Sequence, residues 1–122
     1  MVKELDAGPI YFKSECSLIG RAQEIFQRSY KIISEMILQI ITENLMPKEQ
    51  VGDIVVFQRR KDNELPKSGS TEYIYNHIRM LDADNYPKIF VKHGDFILTF
   101  SNARIQDQDV YANVKITRDT QK

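Results

Sequence analysis

A chain of 122 residues with 42% hydrophobic side chains has material for about one compact domain and excludes two large ones. Its 17 basic and 17 acidic residues cancel, which excludes a global field that would gather nucleic acid or an anionic bilayer, so any polyanion must be held by a local cluster. The one cysteine, Cys16, excludes an intramolecular disulfide and a cysteine-rich zinc site.

The first local signal is Asp6-Ala7-Gly8-Pro9, a turn in which Gly8 is expected to supply a positive φ and Pro9 to fix the exit direction. The aromatic and aliphatic run from Pro9 to Leu18 follows it and reads as a strand. From Arg21 to about Leu45 apolar residues recur at helical spacing, including Ala22, Ile25, Phe26, Ile33, Ile37 and Ile41. Such a helix would run roughly 35 Å, long for a domain of this size. Near its C-terminal end the apolar set covers more than half the circumference, so contact with more than one neighbour is expected. Pro47 closes the segment.

The stretch Gln50 to Phe57 ends in Ile54-Val55-Val56-Phe57, a short-strand signal, and the basic turn Gln58-Arg59-Arg60-Lys61 follows. Residues Asp62 to Gly69 read as a linker, with a boundary that separates 1–61 from 62–122. Ser70 or Thr71 is placed to cap a second helix carrying Ile74, Ile78 and Leu81. Three strands are expected beyond it, near Lys88–Lys92, Phe96–Ser101 and Val110–Thr117, with turns at Gly94-Asp95 and at residues 106–109. In the last strand Val110, Ala112, Val114 and Ile116 alternate with polar positions, the pattern of a half-buried antiparallel strand. The fold class is therefore α+β: an N-terminal strand, a long amphipathic helix, a second helix and a small antiparallel C-terminal sheet. No apolar run approaches the ~20 residues of a membrane span, and the expectation is a soluble cytoplasmic protein.

The opening Val2-Lys3-Glu4-Leu5-Asp6-Ala7-Gly8-Pro9-Ile10 resembles the E-L-D-x-G segment of folate-dependent formyltransferases. The long helix, Val56-Phe57-Gln58-Arg59-Arg60-Lys61, Ile78-Arg79-Met80-Leu81-Asp82 and Tyr86-Pro87 follow in an order similar to the C-terminal portion of methionyl-tRNA formyltransferase-like proteins, some of which resemble amino-sugar formyltransferases. The likeness runs from Met1 to about Ile116 and makes the chain a fragment of a larger α/β fold, with 1–61 the end of the catalytic domain and 62–122 a small C-terminal subdomain.

What the resemblance implies is transfer of a formyl group from N10-formyltetrahydrofolate to a primary amine, on an amino-sugar nucleotide or methionyl-tRNA. The family uses an Asn, a His and the Asp of this turn, and Asp6 matches the last of these. Glu4, Leu5 and Gly8 are the candidate cofactor-binding positions. The Asn and His belong to a half with no counterpart here, because His77 and His93 follow the motif instead of preceding it. The expectation is a fragment inactive alone, completed by the missing N-terminal half or self-associating through the 21–45 helix. The alternative is a non-enzymatic remnant that binds protein or nucleotide.

Each assignment has a plainer competitor. Asp beside Gly commonly caps a local amide. Arg59 and Arg60 suit a phosphate through the guanidinium fork, although a solvated turn accounts for them as well. His77 and His93 have no carboxylate or Cys at ligand spacing, so no metal site is expected.

Overall fold

The computed structural model describes residues 6–60 and 62–120 and divides the chain into two compact units. One comprises 1–18 with 26–59, the other 19–25 with 60–122. Two helices and a three-stranded antiparallel sheet make an α+β fold, as the periodicities predict. Among the described residues no helix is long and apolar enough to cross a membrane.

The long helix, α1, covers Ala22–Thr42. Gly20 precedes it at φ 97°, a backbone conformation that L side chains rarely adopt, so glycine is needed there. A Glu24 carboxylate oxygen accepts from the Arg21 backbone N–H at 2.8 Å, half of a capping box. At the other end Asn44 takes a left-handed φ of 49° and Pro47 follows, the usual chemistry of a helix stop.

In the first unit no described residue is buried. Phe26, Tyr30, Ile33, Ile37 and Ile41 form an exposed apolar stripe along α1. The strand expected over Pro9–Leu18 is reduced to an isolated antiparallel bridge, in which Ile10 and Lys48 exchange hydrogen bonds of 2.7 and 2.9 Å. Residues 51–59, where a second strand is expected, form no regular structure and are exposed. A strand exists only where a neighbour accepts its ladder, and β-branched residues by themselves do not supply one.

The second unit has its own core. Helix α2, Thr71–Arg79, is capped by Ser70, whose hydroxyl accepts from the Tyr73 N–H at 3.1 Å. Strands β1 (Phe90–His93), β2 (Phe96–Gln106) and β3 (Asp109–Arg118) follow in the order β1-β2-β3. Ile78, Leu81 and Ile89 are buried together, with Leu65, Ile74, Phe100, Ala103, Val110 and Ala112 packed around them. Only part of the alternation in β3 is used: Val110 and Ala112 meet this core, whereas Val114 and Ile116 remain exposed.

The β2–β3 hairpin is longer than its apolar pattern suggests, because pairing runs to Gln106↔Asp109 around a tight tip. Both tip residues are left-handed, Asp107 at φ 52° and Gln108 at φ 69°, the conformation of a type I′ turn. Aspartate tolerates this region, but glutamine pays the Cβ clash that glycine avoids. Gln108→Gly is therefore expected to stabilise the second unit by about 1 kcal/mol and to raise its melting midpoint by a few degrees. A lowered midpoint would show that the tip is not under this strain.

Candidate functional site

The Asp6 turn is built by a contact distant in sequence. The Gln50 side-chain amide donates to the backbone carbonyls of Asp6 and Gly8, both at 2.8 Å, and so ties the turn to the segment after Pro47. The left-handed position falls on Asp6, at φ 58°, and not on Gly8 as the turn signal suggests. A short carboxyl side chain is among the few that tolerate this backbone. The Gln50 clamp holds the turn that carries the Asp6 side chain.

Asp6 is exposed. Beside the turn lies a concavity of about 430 Å³ lined by Ile10, Tyr11, Phe12 and Lys13 together with Lys48, Glu49, Gln50 and Val51. Its walls are mostly exposed side chains, and the Gln50 amide is already spent on the turn. A pteridine ring system needs an enclosed apolar slot with polar groups at its edges. The described residues do not form such a slot by themselves, although a carboxylate presented on a pinned turn is suited to face one. Glu4 and Leu5 lie outside the described residues.

Arg59 and Arg60 are both exposed, the first in one unit and the second in the other. His77 is engaged within α2, its Nδ1 2.8 Å from the Tyr73 carbonyl and its ring centroid 4.1 Å from that of Tyr73 with the planes tilted at 57°. Cys16 is half-buried with its Sγ 3.4 Å from the Ser29 hydroxyl. Among the described residues no three His, Cys, Asp or Glu side chains are grouped to hold a metal ion.

A second polar centre, not anticipated as a site, lies in the second unit. Asp82 follows α2 between the buried Leu81 and Ala83, and its side chain is 4% exposed. Lys88 Nζ donates to Oδ1 at 2.6 Å, and the Asn102 backbone N–H donates to Oδ2 at 2.7 Å. Arg21 Nη1 stands 3.8 Å from Oδ2 and donates to the Asn102 side-chain oxygen at 2.6 Å. Asn102 is the left-handed residue, φ 51°, in the irregularity between Ser101 and Arg104. The Asp82 carbonyl also accepts from the Gln23 N–H at 3.1 Å, which ties in the start of α1.

Burial opposes ionisation of Asp82. The Lys88 hydrogen bond, the Asn102 amide and the charges of Lys88 and Arg21 outweigh it and hold the carboxyl below its ordinary value. A carboxylate so fully engaged joins the start of α1, the end of α2 and the bulge in β2. It is a structural hub and has no proton to lend.

Comparison with known proteins connects the two regions to one ancestry. Residues 60–117 match the family model described as methionyl-tRNA formyltransferase, C-terminal domain. Among solved structures, methionyl-tRNA formyltransferase from Clostridium thermocellum is 40% identical and superposes with a TM-score of 0.91 over 97% of this chain and 53% of its own. The chain thus spans about half the length of that protein. No curated protein matches it significantly. The C-terminal unit thus matches the C-terminal domain of methionyl-tRNA formyltransferase, and the chain as a whole resembles the C-terminal portion of such an enzyme along nearly its whole length.

Proposed function

We propose that this chain is the C-terminal part of a cytoplasmic formyltransferase that moves a formyl group from N10-formyltetrahydrofolate to the amine of methionyl-tRNA, and that it is inactive alone. The observation that carries the reading is 40% identity, over 97% of the chain, to a methionyl-tRNA formyltransferase. The division into 1–61, the end of a catalytic domain, and 62–122, a C-terminal subdomain, belongs to the same reading. An amino-sugar nucleotide is the second acceptor, favoured by the formal net charge of +0, since tRNA binding gains from a basic surface.

In this reading Asp6 is the carboxylate of the reaction centre. It orients an imidazole supplied by the rest of the enzyme, favours its cationic form, and orders a water that would relay the proton shed by the attacking amine to the departing folate nitrogen. Glu4, Leu5 and Gly8 are the proposed contacts of the formyl donor. The partner is the formyltransferase portion outside the match, with self-association through the 21–45 helix as the competing arrangement.

Complementation tests the proposal. The chain alone is expected to show no formylation of methionyl-tRNA, and addition of the remaining half of a formyltransferase is expected to give folate-dependent turnover. Asp6→Asn is then expected to lower that turnover about 10²–10⁴-fold. Turnover by the chain alone, or an Asp6→Asn protein as active as its parent, would remove the assigned role.

Arg59 and Arg60 are proposed phosphate contacts of the acceptor. The double change to Ala is expected to weaken binding of the phosphate-bearing acceptor about tenfold, worth about 1.4 kcal/mol, and to leave the unfolding midpoint where it was. Unchanged affinity would make them a solvated turn.

A further inference from the structure

The segment 51–57 carries the most exposed apolar side chains in the described chain. Val51, Ile54, Val55, Val56 and Phe57 are between 70% and 98% exposed. Scattered exposed apolar residues are ordinary, but four in sequence are not.

Their order says what kind of surface would cover them. In an extended backbone Ile54 and Val56 point to one side and Val55 and Phe57 to the other, so both faces are apolar. A strand at the edge of a one-sided sheet would alternate apolar with polar residues. A near-continuous β-branched and aromatic run belongs instead to a strand covered on both faces, the situation of a sheet with helices packed above and below. Pairing with the same segment of a second copy would give a two-stranded ribbon with both faces still wet, and such ribbons are marginal at best. The unit that carries the segment has no buried described residue of its own with which to cover it.

We infer that residues 51–57 add as a strand to the edge of a helix-covered sheet in the formyltransferase portion outside the match, just under half of the Clostridium thermocellum protein. The inference rests on the proposed function for the identity of this partner and adds the mode of docking: main-chain hydrogen bonds along 52–58, with side chains buried alternately on the two faces. The exposed stripe of α1 is a separate surface and is not required to form that ladder.

The test uses the full chain and the part of the Clostridium thermocellum protein outside the match, with affinity measured by calorimetry and amide exchange by NMR. Complex formation is expected to slow exchange at alternate amides within 52–58. Proline removes the amide that a ladder needs, so one of Val55→Pro and Val56→Pro is expected to lose at least tenfold in affinity and the other much less. Since both positions are exposed in the free chain, each variant is expected to keep its unfolding midpoint.

Absence of a complex, a complex without slowed amides at 54–57, or equal tolerance of both proline variants would overturn strand addition. So would light scattering that shows a dimer of the chain alone with those amides protected. Formylation is read separately in the same mixture: a protected complex without turnover would sink the functional reading and leave the docking mode standing.

Discussion

Asp82→Ala is expected to destabilise the second unit by about 3 kcal/mol and to lower its melting midpoint by roughly 12–24 °C. Removal of the carboxylate leaves the Lys88 ammonium and the Asn102 N–H without the acceptors they use at 2.6 and 2.7 Å. The loss falls at the low end for a buried pair, because the Lys88 and Arg21 side chains are 30% and 38% exposed and can turn to water. Asp82→Asn keeps the shape and discards the charge. Pairing it with Lys88→Met is expected to recover part of the loss, since the second change removes the ammonium left uncompensated.

The same residue sets an acid limit. Its folded carboxyl is held below the ordinary value that the unfolded chain restores. Its contribution is therefore complete above the unfolded value of about 4, and it disappears as pH falls through the lower folded value. Stability measured from pH 6 downward should fall more steeply in the parent than in Asp82→Asn. Parallel curves would show that the cluster does not couple to folding through this proton.

Much of the architecture is legible from short-range pattern. The period of Ile25, Ile33, Ile37 and Ile41 marks α1, and Ser70 before Ile74 and Ile78 marks α2, because both signals act within a turn or two of helix. The hairpins at Gly94-Asp95 and Asp107-Gln108 are legible for a similar reason: tight turns have local chemistry. The stretches 9–18 and 50–57 misled, since their strand propensity is a demand for a partner and the described chain offers only the Ile10–Lys48 bridge. The Asp82 cluster is invisible to any local rule. Lys88 is six residues from Asp82, but Arg21 and Asn102 are far from it in sequence and reach it only in the folded unit. Asp6 is legible only through the motif it belongs to, and the clamp from Gln50 had no sequence signal at all.

The contrast between an inward and an outward isoleucine separates the two units by experiment. Ile89 is 0% exposed, packs with Ile78 and Leu81, and its carbonyl accepts from the Phe100 N–H at 3.0 Å. With so few buried side chains there is little to collapse into the space, so Ile89→Ala is expected to cost about 3–4 kcal/mol, inside the usual range for such truncations. The loss should appear in denaturant midpoint with an unchanged slope, the sign of altered stability in an otherwise similar transition. Ile54→Ala, at 92% exposure, removes the same atoms from water-facing chain and is expected to shift the midpoint of the free chain by less than about 0.5 kcal/mol. Once the partner sheet covers residue 54, that same truncation becomes a core truncation. It should then weaken the complex at least tenfold, while Ile89→Ala should act only through the stability of its own unit. Equal effects of the two changes in the free chain would mean that the apparent core of the second unit is not where its stability resides.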